Sequence, residues 1–243
     1  MSLEALGVAR IRAGNPGPLT LSGTNTWVIG REPAWVVDPG PLLEAHLDAV
    51  AAEVAARGGA GGIALTHDHP DHAEGAVALR ERLGGAPLAA ARLPAADVTL
   101  AHGDRLGPLT AVLVPGHAPD HLVFVAGAVA FTGDAVLGEG SVFVADDMAG
   151  YLDGLRRLRA LPLQVLCPGH GPPLWDPAAA LDSYIAHRLD REKRLVAALE
   201  RGLREEAELL DAVWDDAPPA LRPAAAWTLR AHLKKLRDEG RLS

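Results

Sequence analysis

Cysteine is almost missing from this chain. Cys167 stands alone among 243 residues, which excludes an internal disulfide and a cysteine-rich zinc knuckle. Any bound metal must therefore be held by histidine and carboxylate. Lysine is missing from the first 175 residues. No apolar run approaches the ~20 residues that span a bilayer, and Met1 to Gly14 has no continuous hydrophobic stretch of the signal-peptide kind. The expectation is a cytoplasmic protein with no membrane partner. An excess of positive charge is absent too: 23 Lys and Arg face 31 Asp and Glu, a net −8. Such a chain has no general attraction for nucleic acid or anionic lipid.

What is present suits a packed globule: 49% of residues are apolar and 22% charged, enough to bury a sizeable core. From Leu21 to about Leu174, short β-type runs alternate with Gly/Pro turns and a few helix-like segments, the pattern of a sheet-rich α/β domain. Strands are predicted at Thr26 to Ile29, Ala34 to Val37, Ile63 to Thr66, Ala111 to Val114, Leu122 to Ala126, Val129 to Thr132 and Gln164 to Leu166. Helices are predicted at Leu42 to Ala56, at Ala73 to Leu83 with Gly84 and Gly85 as its stop, and at Met148 to Leu161. Beyond Trp175 the pattern turns to charged helices, roughly Pro177 to Leu203, Glu205 to Trp214 and Ala224 to Arg237. A boundary is expected there, dividing a domain 1–175 from a helical, winged-helix-like domain 176–243.

The ten histidines carry the chemistry. Ile63 to Thr66 leads straight into His67-Asp68-His69-Pro70-Asp71-His72. On an extended segment, residues i and i+2 project to one side. Asp71 and His72 turn inward as a helix begins, so four potential ligands converge within six residues. Imidazole and carboxylate at this density suit zinc or another borderline divalent metal. The same grammar recurs in Pro115-Gly116-His117, Thr132-Gly133-Asp134 and Pro168-Gly169-His170. Each time a strand delivers one ligand, and a glycine directly before it lets the backbone turn sharply and come close.

The set His67, His69, Asp71, His72, His117, Asp134 and His170 resembles the metallo-beta-lactamase superfamily of di-metal hydrolases over about three quarters of the chain. Asn15-Pro16-Gly17-Pro18, Gly23-Thr24-Asn25-Thr26 and the helical tail resemble the beta-lactamase-like subgroup that includes the mitochondrial endoribonuclease. The resemblance implies an αββα sandwich with a small C-terminal helical domain. It implies one metal on His67, His69 and His117, a second on Asp71, His72 and His170, and Asp134 bridging them. Two Zn²⁺ are expected, with Fe or Mn fitting the same donors. Hydrolysis would use a metal-bridging hydroxide, with Asp71 and Asp134 as the catalytic carboxylates. No Gly-x-Ser-x-Gly elbow is present.

Other residues receive plainer readings. Asp68 and Pro70 are spacers, His121 supports the site, and Asp38 is a buried turn acceptor beneath it. Cys167 is a core residue. His46, His102, His187 and His232 are read as surface or helix residues. The run Arg188, Arg191, Lys193, Arg194, alternating with Asp190 and Glu192, is read as a solvated helix face with local ion pairs.

The expected substrate is a small thioester or ester. Single-stranded RNA is the alternative, supported by the subgroup resemblance and by Arg230, Lys234, Lys235 and Arg237 on the last helix. Charge argues against it: from Asp176 onward twelve basic residues meet thirteen acidic ones, and the preceding part has eleven against eighteen. A β-lactam or lactone hydrolase and a metal-sensing DNA-binding protein are further readings. The tail is expected to narrow the entry groove or to mediate a homodimer.

Overall fold

The computed structural model describes residues 2–242. Two sheets face each other. The first runs in the order β1 (Val8–Arg12), β2 (Asn25–Ile29), β3 (Ala34–Val37), β4 (Ala60–Ala64), β5 (Leu88–Ala90), β6 (Val98–Thr99). The second runs β11 (Val165–Pro168), β10 (Val129–Gly133), β9 (Leu122–Ala126), β8 (Leu109–Leu113), β7 (Arg105–Leu106). Alternation along the strands divides their side chains between two faces. Trp27, Val37 and Ala64 of the first sheet pack against Leu109, Phe124, Phe131 and Cys167 of the second, forming the central layer.

The opposite faces are covered by helices. Val28, Val36 and Ile63 meet Leu47, Val50 and Val54 of α1 (Glu44–Ala56) and Leu79 of α3 (Ala76–Arg82). Val112, Val123, Ala130 and Leu166 meet Tyr151, Leu152 and Leu155 of α4 (Met148–Arg159), together with Leu181 of α5 (Pro177–Glu200). The architecture is thus the expected αββα sandwich with a helical C-terminal domain. That domain has its own core, in which Leu195 and Ala198 of α5 pack with Leu209 and Val213 of α6 (Glu206–Val213) and Leu229 of α7 (Arg222–Asp238). One helix, α5, therefore serves two cores.

Several expectations need correction. The helix predicted over Ala73 to Leu83 is broken into α2 (Pro70–Ala73) and α3. The break falls at Gly75, whose N–H donates to Gly40 O at 2.9 Å instead of continuing the helix. Gly84 and Gly85 do stop it in the left-handed region, with φ of 69° and 83°. The strand predicted to reach Thr66 ends at Ala64, because the Thr66 N–H is captured by the Asp38 side chain. β1 and the short β5, β6 and β7 are additional strands, too brief or too far forward in the chain to stand out in the pattern.

The largest correction concerns the basic run. Arg188, Arg191 and Glu192 are buried, because α5 is wedged between two cores at that level, and only the side carrying Leu189, Asp190 and Lys193 meets solvent. His46 and His232 are buried as well, His46 bonding Thr26 Oγ1 through Nε2 at 2.8 Å. Among the described residues no helix is long and apolar enough to cross a membrane.

Candidate metal centre

β4, β8, β10 and β11 all point toward one end of the sandwich. That end is stitched shut. The Leu122 N–H donates to Thr66 O at 2.7 Å, and the Asn25 N–H donates to Gly169 O at 2.7 Å. Asn25 Nδ2 also donates to Pro168 O and Gly171 O at 3.0 and 2.9 Å, fixing the turn that carries His170. The glycines before the ligands are needed sterically. A Cβ on Gly169 would lie 2.5 Å from His72 Cε1 and 2.7 Å from Asp134 Oδ1. On Gly133, at φ +47°, it would meet Thr66 Oγ1 at 2.5 Å. Bare backbone is the only thing that fits beside these side chains.

All seven residues singled out by spacing come together here. His67, His69 and His117 offer ligand atoms within 4.8 Å of one another, as do Asp71, His72 and His170. His67, His72 and Asp134 make a third such group between them. His69 Nδ1 faces His117 Nε2 at 3.0 Å, and His72 Nε2 faces His170 Nε2 at 3.3 Å. Asp71 Oδ2 lies 3.1 Å from His170 Nε2. Asp134 splits its carboxylate: Oδ1 is 3.5 Å from both His72 Nε2 and His170 Nε2, while Oδ2 is 3.6 Å from His117 Nε2.

The outer contacts decide which imidazole nitrogen stays free. Asp38 Oδ2 can only accept, so His72 Nδ1–H donates to it at 2.9 Å, and in the neutral ring it is Nε2 that carries the lone pair facing the cluster. Asp38 also accepts from Thr66 N–H at 2.7 Å and from Thr66 Oγ1–H at 2.8 Å. The Thr66 hydroxyl oxygen must then accept from His67 Nδ1–H, 3.0 Å away, again leaving Nε2 free. His117 Nδ1–H donates to Phe143 O at 3.3 Å, and His170 Nδ1–H points to Gly23 O at 3.5 Å. His121 lies just outside the seven: its Nε2 accepts from the Asp134 N–H at 3.0 Å, and its ring stacks on His67. Asp68 is in none of the three groups.

The cluster's electrostatics follow from burial and the two carboxylates. Burial, with His72 and His121 nearby, holds His67 well below the ordinary imidazole range, and burial lowers His117 too. Burial, helped by the neighbouring His117, brings His121 down to about 3. Burial also opposes charge on His72, but Asp134 and Asp38 together outweigh it and raise its pKa. Burial would push Asp134 up, yet His72 and His170 hold it well below the carboxylate range.

These residues fit a metal pair. His67 Nε2 and Asp134 Oδ1 are buried with no hydrogen-bond partner, a costly state for isolated polar atoms. The facing nitrogens, His69 Nδ1 with His117 Nε2 and His72 Nε2 with His170 Nε2, are close enough to share a cation when the rings are neutral. Each nitrogen that would bind has its opposite ring nitrogen occupied by an acceptor or left outward, the arrangement that orients ligand imidazoles. Sequence reasoning missed Thr66, Asn25 and the Phe143 carbonyl. Thr66 borders the motif without any distinguishing spacing, and a backbone carbonyl leaves no signal in residue type.

Known proteins share this architecture. The Metallo-beta-lactamase superfamily profile matches residues 94–170, and the Beta-lactamase associated winged helix domain profile matches residues 206–243. A "Beta-lactamase-like protein 2 homolog" of Drosophila melanogaster is 32% identical over 97% of this chain and 89% of its own length. A "Thioesterase pkgB" of Emericella nidulans is 33% identical over 79% of this chain and 58% of its own length. The crystal structure of a metallo-beta-lactamase family protein from Thermus thermophilus superposes with a TM-score of 0.76 at 23% identity, covering 96% of this chain and 94% of that one, which bears on the fold alone. With both domains matched in order and a relative aligned nearly end to end, the chain belongs to the metallo-beta-lactamase superfamily of hydrolases, in the branch that carries a C-terminal winged helix domain.

Proposed function

We propose that this chain is a di-zinc hydrolase that cleaves a small thioester or ester. His67, His69 and His117 would hold one ion, Asp71, His72 and His170 the other, and Asp134 would bridge. The observation that carries this reading is the divided Asp134 carboxylate, with one oxygen toward His117 and the other toward His72 and His170. Nitrogen-rich sites with few carboxylates suit zinc, and Fe or Mn would use the same donors. When bound, the metal pair supplies Lewis acidity at the scissile carbonyl and an activated water near neutral pH.

The chain's own residues do the rest. Asp38 and Thr66 fix the rings of His72 and His67, so the donors are held in position before substrate arrives. Asp71 is partly open to solvent, where its carboxylate can orient an incoming water. Hydrolysis breaks the acyl–sulfur or acyl–oxygen bond, adds the oxygen of water to the acyl carbon, and releases a carboxylate with a thiol or alcohol. An acyl group finds apolar surface nearby. Leu19 and Leu42 are exposed, Leu19 on the loop leading to Gly23 and Leu42 just after Gly40, whose N–H donates to His72 O at 2.9 Å. The fungal relative named a thioesterase supports the same class.

RNA is the weaker reading because the last helix pairs most of its charge within the chain, Arg237 alone of its four named basic residues having no ion pair among the described residues. Arg230 is bidentate on Glu206, Lys234 pairs with Asp238, and Lys235 pairs with Glu192 and Glu239. Little basic surface remains for phosphates.

The test is a panel of thioesters, lactones, β-lactams and a labelled single-stranded RNA, run with metal content determined per chain. Thioester or ester turnover with two zinc ions bound is expected. Asp134→Asn should lower kcat/KM at least about a hundred-fold, beyond what losing an outer supporting contact costs. RNA cleavage without ester turnover, or wild-type turnover by Asp134→Asn, would overturn the reading.

A further inference from the structure

Three arginines are buried in the described chain. Arg57 pairs with Glu53 and Arg191 with Asp216. Arg188, 2% exposed, has no carboxylate partner among the described residues. Its Nη2 donates to Ser141 Oγ and to Val142 O, its guanidinium lies 5.8 Å from the Tyr151 ring centre, and its Nε–H is buried and donates to nothing. An unpaired buried charge is strongly unfavourable unless something neutralises it. One neutral carbonyl, one hydroxyl and a ring face soften that penalty and leave a net positive charge.

Arg188 borders a cavity of about 250 Å³ at the seam of the two domains. The cavity's walls are mostly apolar, with Val142 and Phe143 on the catalytic side and Trp214, Leu221 and Ala225 on the other. Its one carboxylate, Asp216, is already held by Arg191 Nη2 at 2.6 and 2.7 Å. His187, also in the wall, is brought down to about 4 by burial and by Arg188 and Arg191, so it stays neutral at physiological pH. Two guanidinium groups against one carboxylate leave the cavity with a single uncompensated positive charge.

We propose that this cavity is a binding site for the carboxylate of a small organic acid, with Arg188 as the counter-ion and the apolar wall taking the rest of the molecule. The charge asks for a monoanion, and the wall asks for an apolar body of about the size of benzoate. The site is separate from the metal cluster but shares a wall with it. Ser141 and Val142 touch Arg188, the next residue Phe143 accepts from His117 Nδ1–H, and the Val144 N–H donates to Thr228 Oγ1 of the C-terminal domain at 3.2 Å. An occupant would rest on the backbone that orients His117. The acid can be an end of the hydrolysed substrate or a distinct small molecule. The inference stands without the thioester reading, because its test measures binding rather than turnover.

The probe is 4-fluorobenzoate, followed by fluorine NMR line broadening on the metal-loaded full chain, with 4-fluorobenzamide as the neutral control. Two variants accompany it: Arg188→Met, which removes the charge, and Ala217→Phe, which fills the cavity from its half-buried rim and keeps Arg188. Saturable binding of the acid, no binding of the amide, and a loss of about ten-fold or more in affinity in both variants are expected, the size of one charge-assisted contact. Arg188→Met alone could fail to fold, so Ala217→Phe keeps the test decisive. Competition with the hydrolysed ester assigns the carboxylate to the substrate, and non-competitive binding assigns it to a separate acid; either supports the site. Unchanged affinity in folded Ala217→Phe, or equal binding of acid and amide, overturns it, since the acid would then be seated elsewhere, on the metal pair included.

Discussion

Asp38 does more for the cluster than its place at the end of a strand suggests. It sits at φ 54° and accepts from Thr66 twice and from His72 once. Asparagine tolerates that left-handed backbone, so Asp38→Asn changes the acceptor and spares the fold. An amide nitrogen turned toward His72 Nδ1–H would meet a donor with a donor, and an amide oxygen there would be a weaker acceptor than a carboxylate. We expect metal affinity to fall about 10–100-fold, measured by chelator competition, with little change in thermal unfolding of the metal-free chain. An unchanged affinity would mean that His72 is oriented by packing alone. The seven clustered side chains could be read from spacing because each follows a strand by a turn of fixed kind, with Gly116, Gly133 and Gly169 just before their ligands. Thr66 could not. Its role depends on a hydroxyl that accepts from the adjacent His67 while donating to Asp38, 28 residues away, and that second partner leaves no local pattern.

α5 shows where reading a pattern fails. Alternating charges along Arg188 to Arg194 have the periodicity of a solvated face, and periodicity reports only what a lone helix would do. Packed between two cores, the helix leaves Asp190 and Lys193 in solvent but turns Arg188, Arg191 and Glu192 inward, the last two toward partners twenty or more residues away, Asp216 for Arg191 and Lys235 for Glu192. By contrast, β3 and β9 were predictable to the residue, since short, fully apolar runs between turns leave few alternatives. Glu192 gives the helix a measurable acid dependence. His232, Lys235 and Arg241 hold its carboxyl down to about 2 from an ordinary 4.5. A depressed folded-state value stabilises the protein above the unfolded value and is lost as pH falls through the folded one. The contribution is therefore full above about pH 4.5 and gone near pH 2. Glu192→Gln should destabilise the C-terminal domain at neutral pH and flatten the pH dependence of its urea midpoint across that window, read from Trp214 fluorescence. A parallel curve, shifted but equally steep, would show that the carboxylate is not the titrating group.

The two domains share a buried face, although the composition change near Trp175 suggests a clean division, and we expect each to depend on the other for folding. Leu181 of α5 is fully buried against the catalytic sheet, Tyr184 Oη–H donates to Leu137 O, and Ala231 of α7 joins the same cluster. Leu181 alone contributes about 2 kcal/mol by burial. A chain ending at Trp175 would expose this face together with Leu152 and Leu155, and we expect it to aggregate or to lack a cooperative thermal transition. A soluble, monomeric fragment with near-native circular dichroism would refute that mutual dependence.

The solitary thiol has a practical corollary. Cys167 lies fully buried in the layer between the sheets, and burial pushes its ionisation far above neutral pH. Alkylating reagents attack the ionised, accessible sulfur, so a native molecule should resist iodoacetamide until the sandwich parts. The labelling rate then becomes a clock for whole-molecule opening, read by mass on one site with no background from other sulfhydryls. Rapid modification under native conditions would reveal a gap between the sheets that their packing does not otherwise betray.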